Sequence, residues 1–155
     1  MSDDGPSIEM TKDEMDAFLS KPILARLATI RDDRPHVTPI WFAWDGESIW
    51  METVPDYLKV KNLRKNPNCA ITVDTTDGGI RIKGVIMEGK AELIDGPEDF
   101  VMDIVRRIYV NYMGEEALVA TTPRKMYDGP HILIKLTPEK IITWNWTQKG
   151  IAPLL

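Results

Sequence analysis

Positive charge is concentrated on one short segment of this chain. Residues 53–67 read TVPDYLKVKNLRKNP and place three lysines and an arginine within seven positions, from Lys59 to Lys65, although the formal net charge of the chain is -5. Pro55 predicts a helix start, with the helix running from Tyr57 to Lys65. The N-terminus of a helix presents unpaired N–H groups and the positive end of the helix dipole. A phosphate bound there needs few further donors.

The residues around this helix start could supply those donors. Thr53 ends the preceding predicted strand, Lys59 lies in the first helical turn and Lys61 follows two residues later. A hydroxyl and two ammonium groups at this spacing could surround one phosphate. The alternative is that the cations form the solvated outer face of a surface helix, which composition alone favours.

A proline in the preceding strand gives a second indication of a ligand site. Pro39 falls within the β-rich run HVTPIWFAW (36–44), and proline cannot donate to a sheet ladder. An opened ladder leaves backbone groups free to bind a flat heteroaromatic ligand, with Trp41 or Trp44 lining its pocket. An edge strand that carries a proline explains the same residues without a ligand.

Hydrophobic periodicity predicts two amphipathic helices besides the cationic one. Thr11 and Glu14 have the spacing of a capping box and predict the first helix. Its apolar face would hold Met15, Phe18 and Leu19. The second helix is predicted from Pro97 to about Tyr112 and is ended by Gly114. Each helix has one apolar face with which to cover a sheet.

The remaining pattern predicts short strands. Period-two runs cover residues 23–30, 36–44, 48–54, 69–74, 131–136 and 140–146, together with a longer run over 80–94. A turn at Asp77-Gly78-Gly79 precedes the long run, which Gly84 and Gly89 would bend or bulge. Short loops favour antiparallel pairing. The predicted fold is mainly β: a barrel of roughly six or seven antiparallel strands with helices.

Length and composition indicate one globular domain. The chain has 155 residues, of which 43% are hydrophobic and 28% charged. We predict a flexible lead-in over residues 1–10 and a single domain over residues 11–155. The lone Cys69 is predicted to be a small buried hydrophobe, and the polar N-terminus indicates a cytoplasmic protein. The acidic balance excludes a general nucleic-acid or anionic-membrane partner, but not a local anion site.

Catalytic motifs of the common enzyme classes are absent from the sequence. It contains no nucleophile elbow, dinucleotide-binding glycine loop, phosphate-binding Walker loop or Cys-x-x-Cys pair. His36 and His131 each begin a predicted strand and are interpreted as solvated strand ends rather than as metal ligands or bases. Asp32-Asp33 and Glu115-Glu116 are interpreted as solvated loop residues. We therefore assign no catalytic side chain and no metal site.

The two ligand indications together carry a family resemblance. RLATIRDDRPHVTPIWFAWDG (26–46) followed by TVPDYLKVKNLRKNP (53–67) resembles the flavin-binding split-barrel family related to pyridoxamine 5′-phosphate oxidase, and most closely its small deazaflavin-dependent branch. The resemblance extends through GVIMEGKAEL (84–93). It implies an FMN-binding type of split β-barrel that forms a homodimer, with the cofactor in a groove between two subunits.

The resemblance also implies site residues and chemistry. The cofactor phosphate would be held by Thr53, Lys59 and Lys61. The ring would rest against the strand that contains Thr38, Pro39, Ile40 and Trp41. Few catalytic side chains are then expected, because the cofactor carries the hydride chemistry while the protein binds and orients it.

Two departures from the family limit what can be carried over. Pyridoxamine phosphate oxidases end in an arginine-containing substrate motif, whereas this chain has no arginine after Arg124, so another substrate is expected. Lys61 stands where many relatives have arginine, which keeps the charge but loses a two-pronged phosphate contact. Both FMN and the deazaflavin F420 fit the pattern, and the resemblance favours F420. Candidate cations for the acidic tail of F420 are Arg31, Arg34, Arg64, Lys65, Arg124 and Lys125.

The function implied is a flavin- or F420-dependent oxidoreductase that transfers a hydride between its cofactor and a small planar substrate. Trp144, Trp146 and Tyr127 could edge the substrate pocket, but core or dimer packing explains them as well. The alternative is a non-catalytic protein that binds or stores a flavin, a deazaflavin or haem. A nucleic-acid module that uses the cationic helix is a third, weaker reading, which the acidic balance opposes.

Overall fold

The computed structural model describes residues 8–76, 82–119 and 125–146. These residues form three α-helices: α1 (Lys12–Leu19), α2 (Leu58–Lys65) and α3 (Glu98–Met113), with a 3₁₀ helix over Glu115–Val119. They also form eight strands: β1 (Ala25–Arg31), β2 (Arg34–Ile40), β3 (Phe42–Trp44), β4 (Ile49–Thr53), β5 (Asn68–Thr75), β6 (Lys83–Ile94), β7 (Ile132–Leu136) and β8 (Lys140–Asn145). The predicted turn at Asp77-Gly78-Gly79 and the start of the predicted run at residues 80 and 81 lie outside the described residues.

The strands form one antiparallel sheet that curves into a half-barrel. Their order is β2-β1-β5-β6-β7-β4-β3, and β8 pairs with β6 beside β7. β2 and β3 stand at opposite ends of this order, yet only Trp41 separates them in the chain. The mainly β, antiparallel split-barrel prediction is confirmed. The strand number exceeds the predicted six or seven because the run 36–44 divides at Trp41.

The two glycines of β6 have different surroundings. On one edge of β6 the pairing changes from β8 to β7, and residues 137–139 face only Gly89 and Lys90. The β7–β8 connection passes close to Gly89, where a Cβ would lie 3.2 Å from the Thr137 carbonyl oxygen, but the ladder between β6 and β5 continues through Gly89 without the predicted bulge. At Gly84 the ladder with β5 continues without a break. Here the missing side chain makes room for the Trp144 indole, which a Cβ would approach to 2.0 Å.

Helix α1 closes one end of the sheet. Thr11 and Glu14 form the predicted capping box, and Met15, Phe18 and Leu19 are buried in the main core. Residues 8–10, which belong to the predicted lead-in, lie along β8: the Asn145 N–H donates to the Ile8 carbonyl at 2.7 Å, and the Met10 N–H donates to Thr143 Oγ1 at 2.9 Å.

The apolar faces of the elements meet in two cores. The first fills the half-barrel with fully buried side chains, among them Leu27, Phe42, Ile49, Met51, Met87 and Leu136. The second lies between α3 and the sheet and contains Val101, Val105, Ile108, Tyr109 and Leu133. Cys69 is a free, buried thiol, as predicted, and burial raises its pKa to about 11. Within the described residues, no helix has the length and apolarity needed to cross a membrane.

Candidate functional site

A cavity of about 470 Å³ opens where β4 ends and α2 begins. Its walls come from five places in the chain: the residue before β1, the joint between β2 and β3, the β4–α2 connection, α3, and the residues before β7. The lining side chains include Pro39, Ile40, Trp41, Glu52, Thr53, Tyr57, Lys59, Tyr109, Met126 and His131. Five of the seven predicted cofactor-binding residues therefore share one cavity, namely Pro39, Ile40, Trp41, Thr53 and Lys59.

Among the described residues, Lys59 is one of two lysines that line this cavity, the other being Lys125. Its Nζ lies 3.5 Å from Thr53 Oγ1 and 5.0 Å from the centroid of the Tyr57 ring. Burial lowers the pKa of Lys59 below its ordinary 10.5, and the negative charge of Glu52 opposes that shift. A half-buried ammonium group has already lost part of its hydration, so it can bind an anion at a reduced desolvation cost.

The N-terminus of α2 faces the same cavity. Its N-cap residue, Tyr57, makes no side-chain capping hydrogen bond, and the first turn contains no acidic residue. The first N–H groups of a helix have no intrahelical partner. An anion beside Lys59 would therefore meet both a cation and a positive helix end.

Lys61 faces another part of the surface. It lines a separate groove of about 330 Å³ with Arg31 and Lys65, on the far side of α2. Two residues correspond to about 200° of rotation on a helix, so Lys59 and Lys61 of one chain point in nearly opposite directions. Lys61, Arg64 and Lys65 are exposed, as the solvated-face interpretation expects, whereas Lys59 is not.

The interruption in the sheet lies at Trp41 rather than at Pro39. Pro39 remains paired with Arg26 in β2, which is the edge strand of the sheet order. The edge-strand explanation of the proline is therefore correct, and the prediction of an opened ladder at Pro39 is wrong, since pairing with β1 continues to Ile40. Ile40 is buried in the core. Thr38 does not line the cavity, and its Oγ1 is buried without a hydrogen-bond partner within the described residues.

Trp41 is held in place by α3. Its ring stacks on Tyr112 with centroids 4.8 Å apart and meets the edge of Tyr109 at 5.6 Å. The Tyr112 hydroxyl donates to the Ile23 carbonyl at 2.7 Å and accepts from the Phe42 N–H at 3.3 Å. The residue between β2 and β3 is thus fixed by two aromatic side chains of α3, and it forms an apolar wall of the cavity.

Helix α2 is anchored by a buried polar contact. Asn62 Nδ2 donates to Thr29 Oγ1 on β1 at 3.0 Å, and both residues are buried. Val60 and Leu63 pack beneath the same helix. This anchoring fixes the direction in which Lys59 points.

His131 is a member of the cavity wall that sequence reasoning missed. It was expected to be a solvated strand end, which is wrong: only 3% of its side chain is exposed. Its Nδ1 lies 2.7 Å from Glu52 Oε1, and its Nε2 lies 2.7 Å from the Tyr127 carbonyl oxygen. Burial disfavours the charged ring, but these contacts outweigh burial and raise the pKa of His131 above its ordinary 6.5.

The other candidate residues lie mostly away from the cavity. Trp144 packs on Gly84, Trp146 is 41% exposed, and the Tyr127 ring meets the edge of Tyr109 at 5.8 Å. Arg124 falls outside the described residues, whereas Lys125 lines the cavity. Asp32 and Asp33 form the β1–β2 turn with positive φ angles, and Glu115 pairs with Arg106. Within the described ranges, no three metal-ligating side chains come together.

The sheet order, the flanking helices and the cavity at the β4–α2 connection define a split β-barrel. Residues 11–145 match the family model described as pyridoxamine 5′-phosphate oxidase. The chain belongs to this family of flavin-binding split barrels, as its sequence resemblance indicated.

Individual relatives agree with this assignment. A conserved hypothetical protein from Mycobacterium tuberculosis is 27% identical, with a TM-score of 0.79 over 96% of this chain and 92% of that chain. A structure described as an F420 reductase is 25% identical, with a TM-score of 0.63 over 82% of this chain and 94% of that chain. An uncharacterized protein of Rhizobium meliloti (strain 1021) is 28% identical over 81 residues, which are 52% of this chain and 53% of that protein. The match therefore spans about half the length of this curated relative.

Proposed function

We propose that this protein is an oxidoreductase that binds FMN or F420 and transfers a hydride between the cofactor and a small, mostly planar substrate. The observation that carries the proposal is the convergence of Thr53, Lys59 and Trp41 on one cavity at the uncapped N-terminus of α2. A hydroxyl, a half-buried cation and an aromatic wall suit a ligand that joins a phosphate to a flat ring system.

Thr53 and Lys59 would hold the phosphate, together with the first N–H groups of α2. The backbone of residues 38–41 would contact the edge of the ring, because β2 is the last strand of the sheet order on its side and ends just before Trp41. Within one copy of the chain, Lys61 lines a different groove from Lys59. Lys61 would therefore contact the cofactor phosphate only with a second copy of the chain present. Homodimerisation is therefore part of the proposal, and light scattering that shows a 17.6 kDa monomer at micromolar concentration would contradict it.

F420 is the preferred cofactor. The F420 reductase is among the structures similar to this chain, at 25% identity. Lys125 lines the cavity and could accept the acidic tail of F420, and Arg31 and Lys65 lie beside Lys61 in the second groove. FMN would use the same phosphate contacts without needing these additional cations.

The chain supplies binding and orientation rather than proton-transfer machinery. When bound, a flavin or deazaflavin supplies the hydride chemistry. Trp41, Tyr57 and Met126 give the cavity apolar walls against which a flat ring system would pack. Lys59 binds an anion in this mechanism and transfers no proton.

Parallel tryptophan-fluorescence titrations with FMN and F420 test the proposal, because Trp41 lies in the cavity wall. Saturable quenching by one of them is expected. Turnover is then measured by oxidation of the reduced cofactor in the presence of quinones, enones and tetrapyrroles. Tight binding without substrate-dependent oxidation would favour a storage protein, and binding of neither cofactor would refute the proposal.

A further inference from the structure

The buried contact between His131 and Glu52 lies in the cavity wall but has no part in the function proposed above. His131 immediately precedes β7, and Glu52 lies on β4, the strand that pairs with β7. Their side chains are 3% and 12% exposed, and the joining distance is 2.7 Å.

The two hydrogen-bond contacts of the His131 imidazole determine where protons lie on its ring nitrogens. The Tyr127 carbonyl oxygen can only accept, so Nε2 must carry a proton. Nδ1 faces a carboxylate oxygen, and at 2.7 Å one proton must lie between these two atoms. A neutral imidazole beside a carboxylate would leave one ring nitrogen lone pair facing an oxygen lone pair. The pair of His131 and Glu52 therefore has no net charge.

This neutrality matters for an anion that enters the cavity. The charged and titratable groups that share the cavity with His131 are Glu52 from β4, Tyr57 and Lys59 from the start of α2, Tyr109 from α3, and Lys125 from the segment before β7. Burial, together with the negative charge of Glu52, raises the pKa of Tyr109 to about 12, so this phenol stays neutral. With Glu52 neutralised, the two lysines set the charge of the cavity. Without that neutralisation, a buried carboxylate would repel the ligand.

We propose that His131 is a positioning residue of the cavity, held as an imidazolium between the Glu52 carboxylate and the Tyr127 carbonyl, where it cancels the charge of Glu52 and so permits an anionic ligand to bind beside Lys59. The identity of the ligand rests on the proposed function. The ion pair itself does not.

The same contacts fix the backbone that covers the cavity. Gly129 and Pro130 line it, and they lie between the two points where this segment is fastened, the Tyr127 carbonyl and the His131 side chain; Met126, which also lines the cavity, directly precedes the first of these points. Loss of the ring proton would weaken both hydrogen bonds at once. His131 therefore links the charge of the cavity to the position of one of its walls.

NMR titration of the two histidine rings in the cofactor-free protein tests the ion pair directly. His36→Gln assigns the signals, because the chain has only these two histidines. His131 is expected to titrate above 6.5, with both ring nitrogens protonated below its midpoint. Loss of the proton at or below pH 6.5 would overturn the proposal.

Binding measurements at a pH below the His131 midpoint found by NMR test the effect on the ligand. Whichever coenzyme binds is compared with its phosphate-free form, riboflavin for FMN or the deazariboflavin core for F420. His131→Gln should weaken binding of the phosphorylated ligand several-fold more than binding of the phosphate-free ligand. Adding Glu52→Gln should restore most of the lost affinity for the phosphorylated ligand. The proposal would be overturned if His131→Gln weakened binding of both ligands equally, or if the double variant bound the phosphorylated ligand no more tightly than His131→Gln. Either result would show that His131 has only a packing role. If wild type binds neither coenzyme, the proposed function fails and the NMR titration decides the inference.

Discussion

Replacing Lys59 with alanine removes the cation at the centre of the proposed phosphate site. Two unit charges 4 Å apart interact by about 4 kcal/mol at an effective dielectric constant of about 20, and dehydration of both groups reduces the net value to about 1.5–3 kcal/mol. Lys59 is already partly desolvated, since burial lowers its pKa, which places the expected loss in the upper half of that range. The dissociation constant for FMN or F420 should therefore rise by about fortyfold to more than a hundredfold.

Fluorescence titration of wild type and Lys59→Ala with the coenzyme measures this loss, and circular dichroism checks the fold. Arg64→Ala is the matched control: it removes one positive charge from the same helix, but Arg64 is exposed and does not line the cavity. Its effect should be small, because an exposed charge is screened. The phosphate-free ligand should bind Lys59→Ala and wild type nearly equally. Unchanged coenzyme affinity in Lys59→Ala, or an equal loss in Arg64→Ala, would refute the phosphate assignment.

Further predictions concern the scaffold and the second groove. Lys61→Ala should weaken coenzyme binding less than Lys59→Ala does, because Lys61 is exposed; an equal or larger loss in the same titration would make the second groove the main phosphate site. Gly84→Ala should cost about 1–3 kcal/mol in urea unfolding through overlap with Trp144, and most of that cost should vanish in a Trp144→Ala background. Asn62→Ala should cost about 1–3 kcal/mol by leaving Thr29 unpaired, and a Thr29→Val, Asn62→Ala double variant should be less than additive. The pKa of His131 is raised on folding, so the stability that its protonated ring contributes is complete below pH 6.5 and is lost as the pH rises through the pKa of the folded state. The difference in unfolding free energy between wild type and His131→Gln should therefore shrink as the pH rises through this range. A difference that stays constant would contradict the raised pKa.

Local signals were enough to predict much of the fold. The capping box of Thr11 and Glu14 and the limits of α3 between Pro97 and Gly114 depend on residues close in sequence, and the structure shows both. The division of the run 36–44 at Trp41 was missed because every residue there fits a strand. The break accompanies stacking on Tyr112, a contact that no local pattern encodes.

The candidate site was predictable to a similar extent. Thr53 and Lys59 flank the start of α2, so their proximity follows from short-range geometry. The helical period alone places Lys61 on another face, which a check of the 100° rotation per residue would have shown. The contact of His131 with Glu52 spans 79 positions and depends on β4 pairing with β7. A histidine at a strand end gives no sequence signal that distinguishes this environment from solvent.

Tyr112 has a consequence for how the cavity can vary among related chains. One side chain of α3 supports the Trp41 ring, and its hydroxyl joins the Phe42 amide to the Ile23 carbonyl. Substitutions that tilt or slide this helix would therefore reshape the ring-binding wall even when no cavity residue changes. Differences in ligand preference between relatives with identical cavity linings should be sought along the buried side of α3.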